Sequence, residues 1–139
     1  MKARDIMTAH PSVVGPNDTV RHAAELMRDR HIGMLPVIDD LRGRHAVGVL
    51  TIRDIATRCV AAGHDAGCCV RDHMTRRSIV TVAADADIDE VIHKMQLAQL
   101  RRILVVGMDE RLVGVIAHSD VATRGKPLAP EPAHELAGV

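Results

Sequence analysis

Thr51 and Asp54 form a Thr-x-x-Asp unit at the point where a short apolar run gives way to a helical pattern. A carboxylate in this position can accept hydrogen bonds from the two hydroxyls of a ribose, and the free N–H groups of a helix start favour phosphate. The same two side chains also make a capping box, which stabilises a helix by about 1 kcal/mol without any ligand. The residues by themselves leave both interpretations open.

The Thr-x-x-Asp unit belongs to a longer motif that occurs twice in the chain. Residues 48–58 (GVLTIRDIATR) match residues 114–124 (GVIAHSDVATR) at six of eleven positions, with an offset of 66. A second pair, residues 4–8 (RDIMT) and 71–75 (RDHMT), matches at four of five positions, and we call this pair the Met-Thr segments. Matches in register at several places predict two copies of one structural unit.

The second copy of the motif differs from the first at the position of the hydroxyl. Ala117 replaces the threonine, whereas Asp120 is retained and follows His118 and Ser119. Asp120 can still hold a ribose, but the missing hydroxyl weakens that site or alters its ligand. His118 or Ser119 is expected to cap the second helix instead.

A pair of arginines, Arg101 and Arg102, stands just before an apolar run of the second copy, where the first copy has Gly33 and Met34. Guanidinium groups make charge-assisted, bidentate contacts with phosphate oxygens. A solvated turn or a pairing with Asp109 is the alternative. One site then has a hydroxyl and an acid but no local cation, and the other has an acid and two cations but no hydroxyl. We therefore expect a single occupied site rather than two equivalent ones.

The helices that must position these residues also repeat. Apolar residues spaced at i, i+3, i+4 and i+7 predict one buried helix face in each copy. They are Val20, Ala23, Ala24 and Met27 in the first copy, and Ile88, Val91, Ile92 and Met95 in the second. Thr19 is the expected N-cap of the first helix, and Asp87 with Glu90 predicts a capping box for the second.

Short runs rich in branched residues predict strands at 35–38 and 103–106, and further strands at 46–50 and 112–116 lead into the repeated motif. Each copy is therefore a strand-helix-strand-strand-helix unit of α/β (α+β) class. One such unit leaves a face of its sheet bare, so we expect the two to pack sheet to sheet with helices outside. The predicted divisions are repeat 1 at residues 1–63, repeat 2 at 64–125 and a flexible, proline-rich tail at 126–139.

The composition argues against several classes of partner. Lysine plus arginine number 18 and aspartate plus glutamate 18, so no net field draws the chain onto nucleic acid or an anionic membrane. Aromatic residues of the Trp, Tyr and Phe types are absent, so a base would be held by aliphatic walls and backbone groups. The charged first residues and the lack of a long apolar run favour a cytoplasmic protein without a membrane span.

The cysteines and histidines offer one cluster worth testing. Cys59, Cys68 and Cys69 are odd in number, which indicates reduced thiols rather than a disulfide framework. His64 and His73 flank two of these cysteines near the linker between the repeats, and a zinc or redox role there is an alternative hypothesis. The spacing of the other histidines does not predict a metal site.

The repeated motif, the Met-Thr segments and the Leu35-Pro36-Val37 strand resemble a tandem pair of CBS domains, also called a Bateman module. The resemblance covers about residues 1–125 and is strongest to the stand-alone two-CBS proteins of bacteria. It implies an adenosine-containing ligand, such as AMP, ATP, NAD or S-adenosylmethionine, in clefts between the repeats. It also implies disc-like homodimers, and an effector protein is expected because the chain shows no effector domain.

The resemblance also implies a set of ligand-binding residues. Backbone groups would contact the adenine, a valine would form its apolar wall, an aspartate would hold the ribose and arginines would bind phosphate. The candidates are Ile32, Gly33, Val49, Thr51, Arg53 and Asp54 in the first copy, and Leu100, Arg101, Arg102, Val115, His118, Ser119 and Asp120 in the second.

These patterns together predict a regulatory module that binds an adenine nucleotide. An enzyme is not expected, since no nucleophile with a local base, glycine-rich phosphate loop or acidic dyad stands out. The ligand would act through its difference in affinity for two arrangements of the module. The alternatives are a dimerisation or interaction scaffold that binds no ligand, and a zinc or redox sensor that uses Cys68 and Cys69.

Overall fold

The structure, a computed structural model, describes residues 1–77 and 79–124, and the predicted tail at 126–139 lies outside these ranges. The strands are β1 (Thr8–Ala9), β2 (Met34–Ile38), β3 (Ala46–Thr51), β4 (Thr81–Ala83), β5 (Arg102–Val106) and β6 (Leu112–Ala117). The helices are α1 (Ala3–Ile6), α2 (Val20–Arg30), α3 (Ile52–Asp54), α4 (Ile88–Ala98) and α5 (His118–Arg124). A π-helix at Ile55–Val60 continues α3, and 3-10 turns cover Val70–Asp72 and Met108–Glu110. The predicted mixed class of helix and sheet is confirmed.

The two long helices bury the faces that their apolar periodicity predicts. The buried residues are Val20, Ala23 and Met27 in α2, and Ile88, Val91 and Met95 in α4. Each helix stops at a residue in the left-handed region, His31 (φ 55°) after α2 and Gln99 (φ 53°) after α4, which turns the chain toward the next strand. No helix in the described ranges combines the length and the apolar character needed to cross a lipid bilayer.

One predicted helix cap is confirmed and the other is wrong. Thr19 caps α2, because its Oγ1 accepts a hydrogen bond from the His22 N–H at 3.0 Å. Asp87 occupies the N-cap position of α4 but its side chain makes no capping bond. Its Oδ1 instead accepts from the Lys2 ammonium at 3.1 Å, so attraction to a cation has replaced the capping interaction.

The chain forms two compact units, and the first is made of consecutive residues. In this contiguous unit, residues 12–77, β2 and β3 are antiparallel. Single bridges extend the sheet on both sides, Val14 beside Val37 in parallel and Thr75 beside Val49 in antiparallel orientation. The core is aliphatic and consists of Val14, Ala23, Met27, Leu35, Val37, Leu50, Val70 and Met74.

The second unit is assembled from two separate stretches of chain, residues 1–11 and 79–124, and we call it the split unit. Its sheet has the order β1-β6-β5-β4, with β4 parallel to β5 and the other pairs antiparallel. The predicted first strand of the repeat is therefore present here as β4. In the contiguous unit a single bridge at Val14 takes the place of this strand. Pro11 and Pro16 lie nearby, and a longer strand is disfavoured there because proline lacks the N–H that a strand ladder needs.

Each Met-Thr segment packs on the copy that it does not precede in sequence. Thr75 of the second segment pairs with Val49 in β3, and Thr8 of the first pairs with Val115 in β6. Each compact unit therefore combines parts of both sequence repeats. The division at residues 63 and 64 concerns the repeats in the sequence and stays a prediction.

The glycine that opens each repeated motif is required by this packing. A Cβ on Gly48 would lie 2.7 Å from the Met74 sulfur and 3.0 Å from the Thr75 carbonyl oxygen. A Cβ on Gly114 would collide with the Met7 sulfur in the same way. Only a residue without a side chain lets the methionine approach the strand this closely.

Candidate ligand-binding site

The capping box predicted at the start of α3 is present. The Asp54 N–H donates to Thr51 Oγ1 at 3.0 Å, and the Thr51 N–H donates to Asp54 Oδ2 at 3.0 Å. The helix continues from this cap through the π-helix to residue 60. One oxygen of the Asp54 carboxylate is thus committed to the backbone, and the structural interpretation of the Thr-x-x-Asp unit is confirmed.

The second oxygen of Asp54 faces two polar groups that the unit brings together. The Thr75 hydroxyl lies 3.2 Å from Oδ1, and Arg58 Nε lies 3.7 Å from the same oxygen. Arg58 is held in place by a hydrogen bond of 3.2 Å from its guanidinium to the Met74 carbonyl. Asp54 itself is only 7% exposed, so its charge is largely removed from water and depends on these neighbours.

The sequence prediction of no local cation in the first copy is therefore wrong. Arg58 supplies that cation, because a residue four positions after Asp54 returns to the same side of a helix. The signal was present in the sequence, since Arg58 is the last matching residue of the repeated motif. Thr75 was predicted only as part of its Met-Thr segment. Its contact with Asp54 was not predicted, because the sequence does not indicate which strand that segment joins.

The remaining candidates of the first copy surround the same helix start. The Ile52 N–H donates to the Gly33 carbonyl at 3.0 Å, which fixes the residues before β2 against the start of α3. Ile32 is half-buried and its N–H donates to the Met27 carbonyl at 3.1 Å. Val49 is half-buried in β3, whereas the side chain of Arg53 is exposed on the first turn of the helix.

The second copy repeats this frame around Asp120. The Ala117 N–H donates to Asp120 Oδ2 at 2.9 Å, as the Thr51 N–H does to Asp54. The His118 N–H donates to the Arg101 carbonyl at 2.7 Å, which matches the bond from Ile52 to Gly33. His118 and Ser119 are exposed, and their predicted capping role stays a prediction.

Arg102 is the main chemical difference between the two frames. It lies opposite Ala117 in the β5–β6 ladder, at the position that Met34 occupies opposite Thr51. Partial burial lowers the pKa of Arg102, Arg101 adds to this effect, and the nearby Asp120 carboxylate opposes it. A guanidinium in such surroundings gains more from a further anion than an exposed one does.

Two apolar candidates complete the second frame. Leu100 is half-buried at the end of the turn after α4, and its N–H donates to the Met95 carbonyl at 2.9 Å. Val115 is half-buried in β6 opposite Thr8, as Val49 is opposite Thr75. The two units therefore place equivalent candidates in equivalent positions, and they differ chiefly at residues 51 and 117 and at residues 34 and 102.

The three cysteines are unpaired thiols in the structure. Cys59 is buried, and its sulfur lies 3.7 Å from the His64 carbonyl oxygen. Cys68 and Cys69 are half-buried. Partial burial raises the pKa of the Cys68 thiol, and the negative charge of Asp65 contributes in the same direction.

A family model described as the CBS domain matches residues 3–61 and 70–125 of the chain. Among similar proteins, Hypoxic response protein 1 of Mycobacterium tuberculosis is 40% identical over 120 residues, which cover 86% of this chain and 82% of that protein. A crystal structure of Hypoxic Response Protein I with two coordinated zinc ions has a TM-score of 0.79 and 34% sequence identity, and the match covers 89% of this chain and 98% of that one.

Two further solved structures contain adenosine compounds. CBSX2 in complex with AMP has a TM-score of 0.72 and 27% identity, and covers 87% of this chain and 93% of its own. The CBS domain pair of MJ0100 in complex with methylthioadenosine and S-adenosyl-L-methionine has a TM-score of 0.75 and 27% identity. The match covers 88% of this chain and 93% of that one. The ligands of these two proteins share the adenosine group.

Proposed function

Because this chain belongs to the CBS domain family, we propose that it is a regulatory module that binds an adenosine-containing ligand and passes its occupancy to a partner protein. One observation carries the proposal. Asp54, only 7% exposed, presents its second oxygen to a hydroxyl and a guanidinium, and two solved structures of similar fold are in complex with adenosine compounds. We propose a binding role without catalysis.

The ribose is the part of the ligand that Asp54 is suited to bind. Its Oδ2 stays with the Thr51 N–H, while Oδ1 has a further lone pair that a ribose hydroxyl can use. The Thr75 hydroxyl can rotate its proton away and accept a hydrogen bond from the second ribose hydroxyl. Helix capping and ribose binding therefore use different atoms of the same carboxylate, and the two roles are compatible.

The adenine is expected at the residues that precede β2. The Ile32 N–H is bonded to the Met27 carbonyl, and the Gly33 carbonyl accepts from the Ile52 N–H. The Ile32 carbonyl and the Gly33 N–H are therefore the backbone groups proposed to contact the adenine. One is an acceptor and the other a donor, as the edge of an adenine requires. Val49 and the side chain of Ile32, both half-buried, would supply the apolar wall in a chain without aromatic residues of the Trp, Tyr or Phe types.

Phosphate groups would be bound differently in the two units. In the contiguous unit Arg58 and the exposed Arg53 are the available guanidiniums. In the split unit Arg102 is half-buried beside Asp120, with Arg101 next to it. Since partial burial strengthens the attraction between a cation and a phosphate, we assign the higher preference for phosphate-bearing ligands to the Asp120 site.

Signalling requires that the ligand bind two states of the protein with different affinity, because a ligand with equal affinity for both shifts nothing. The states would differ in how the module engages a second copy of itself or an effector protein. A homodimer is part of this proposal, and light scattering with and without ligand tests it. A mass that corresponds to a monomer under both conditions would contradict it.

Thermal melting with adenosine, AMP, ATP, NAD and S-adenosylmethionine tests the proposal directly. A ligand that binds the native state raises the melting temperature. At a concentration of 100 times its Kd, it adds about 2.7 kcal/mol to the free energy of unfolding. We expect at least one of the five to do so, and the shift should disappear in the Asp54→Ala, Asp120→Ala double variant. Absence of a shift with every ligand would favour a scaffold instead, and turnover of a nucleotide would contradict a purely regulatory role.

A further inference from the structure

We propose that His64, Cys68 and His73 form a binding site for a divalent cation of the zinc class. One ligand atom of each side chain lies within 4.8 Å of the other two. The three residues belong to the contiguous unit and do not overlap with the proposed nucleotide-binding residues. The site is argued from their geometry and does not rest on the proposed nucleotide binding.

Three short turns bring these residues together. Gly63, at φ 81°, reverses the chain after the π-helix, and the His64 N–H then bonds to the Cys59 carbonyl at 3.0 Å. Cys68 follows a second turn, in which its N–H donates to the Asp65 carbonyl at 3.3 Å. His73 ends the 3-10 turn Val70–Asp72, with its N–H bonded to the Val70 carbonyl at 3.0 Å. The backbone thus holds all three positions by local hydrogen bonds.

His73 provides an independent sign of a missing partner. The residue is only 3% exposed. Its Nε2 is the one fully buried side-chain nitrogen or oxygen in the described residues that has no hydrogen-bond partner. A buried polar atom without a partner costs roughly 1–3 kcal/mol, and a bound cation would remove that cost.

The arrangement of the two imidazoles is compatible with a shared ligand as well as with ring packing. Their centroids are 5.2 Å apart and the ring planes are inclined by 50°. Inclined rings can direct a nitrogen from each toward a common point, as tetrahedral coordination requires. His64 is exposed, so its side chain is free of the packing that fixes His73 and can adjust its position.

The donor set selects the type of metal. Two imidazole nitrogens and a thiolate suit zinc, whereas magnesium and calcium require oxygen ligands. Bond lengths of about 2.0–2.1 Å to nitrogen and about 2.3 Å to sulfur place tetrahedral ligand atoms roughly 3.3–3.7 Å apart. The ligand atoms lie within 4.8 Å of one another, so the cluster must contract by up to about 1 Å, which a rotation of the exposed His64 side chain can supply. Three protein ligands leave a fourth position for water.

Cobalt(II) and zinc titrations of the full chain test the site. After treatment with a chelator, the wild-type protein should bind about one metal ion at this site with a thiolate-to-cobalt charge-transfer absorption, and zinc should displace the cobalt. His64→Ala and Cys68→Ser should each weaken zinc binding at least ~100-fold, measured against a chromophoric chelator. His64 is exposed, so its replacement is not expected to unfold the protein, and circular dichroism checks this.

Two matched controls lie in the same unit. His22→Ala removes an exposed histidine on α2, and Cys69→Ser removes the neighbouring half-buried thiol. Both should keep the affinity of the wild type. Charge-transfer absorption that survives Cys68→Ser, equal loss in Cys69→Ser, or zinc affinity in the wild type no higher than in His64→Ala would each overturn the assignment.

Discussion

Asp54→Ala separates the structural role of this carboxylate from its proposed role in binding. In the structure the carboxylate accepts the Thr51 N–H at 3.0 Å and the Thr75 hydroxyl at 3.2 Å. The substitution keeps the bond from the residue 54 N–H to Thr51 Oγ1, but it removes both hydrogen bonds to the carboxylate, each of which contributes roughly 1–1.5 kcal/mol. Arg58 adds little, because its guanidinium is 3.7 Å away and half exposed. The free energy of unfolding should therefore fall by roughly 2–3 kcal/mol, measured by urea denaturation.

The same substitution removes the acceptor proposed for the ribose. Each hydrogen bond to a charged group contributes about 1.5–3 kcal/mol net, because water bonds to the same groups when the ligand is not bound. A loss of roughly 2–3 kcal/mol corresponds to an affinity for AMP about 30- to 150-fold lower. Calorimetric titration measures this, and an Asp120→Ala background confines the measurement to the contiguous unit.

Thr19→Ala is the matched control for this experiment. It removes the cap of α2 in the same unit, where Thr19 Oγ1 accepts the His22 N–H at 3.0 Å. We expect a stability loss of about 1 kcal/mol and no change in AMP affinity. If Asp54→Ala bound AMP as tightly as Thr19→Ala does, the ribose assignment would be refuted. A stability loss below about 0.5 kcal/mol for Asp54→Ala would show that the observed hydrogen bonds contribute less than the structure implies.

Three further predictions concern other parts of the chain. Arg102→Ala should weaken binding of AMP by about 10- to 100-fold while it changes adenosine affinity much less, and equal losses for the two ligands in calorimetry would contradict a phosphate contact. Gly48→Ala should destabilise the protein by roughly 1–3 kcal/mol, because its Cβ would lie 2.7 Å from the Met74 sulfur. Gly15→Ala, whose Cβ would meet nothing nearer than 3.8 Å, is the control in the same urea experiment, and similar losses in the two variants would refute the steric explanation. The pKa of Asp39 is lowered, mainly by a hydrogen bond from the His45 backbone N–H and further by the His45 ring and the Asp40 N–H. The charged carboxylate therefore stabilises the fold at a pH above its ordinary pKa, and this stabilisation is lost as the pH falls through the lowered pKa. Asp39→Asn should thus be less stable than the wild type at pH 7 and approach it below about pH 4, and a constant difference across that range would contradict the argument.

The periodic features of the fold were predictable because they depend on local patterns. Branched runs and apolar spacing located the strands and the two long helices, and the Thr51 capping box followed from residue types three positions apart. The failure at Asp87 has a physical reason. A capping bond competes with other partners of the same carboxylate, and Lys2 is distant in sequence, so the local pattern contained no sign of it.

The surroundings of the candidate site were less predictable. Sequence similarity shows that the two Met-Thr segments are equivalent, but equivalence does not say on which copy each one packs. The contact between Thr75 and Asp54 follows from that choice and could be found only in the folded chain. The proximity of Arg58 to Asp54 was predictable from the sequence, since side chains at i and i+4 of a helix are neighbours.

The position of the first Met-Thr segment has a consequence for how the chain folds during synthesis. Residues 12–77 leave the ribosome as an unbroken stretch, so that unit can be complete while the rest is still being made. Thr8 and Ala9 must wait for Val115 and Gly114, their partners in β6, and are synthesised about a hundred residues before them. Thr8 and Ala9 are thus among the last of the described residues to reach their final position. A slow phase during refolding should accordingly report on β1, and removal of residues 1–11 should abolish that phase without unfolding the unit that follows.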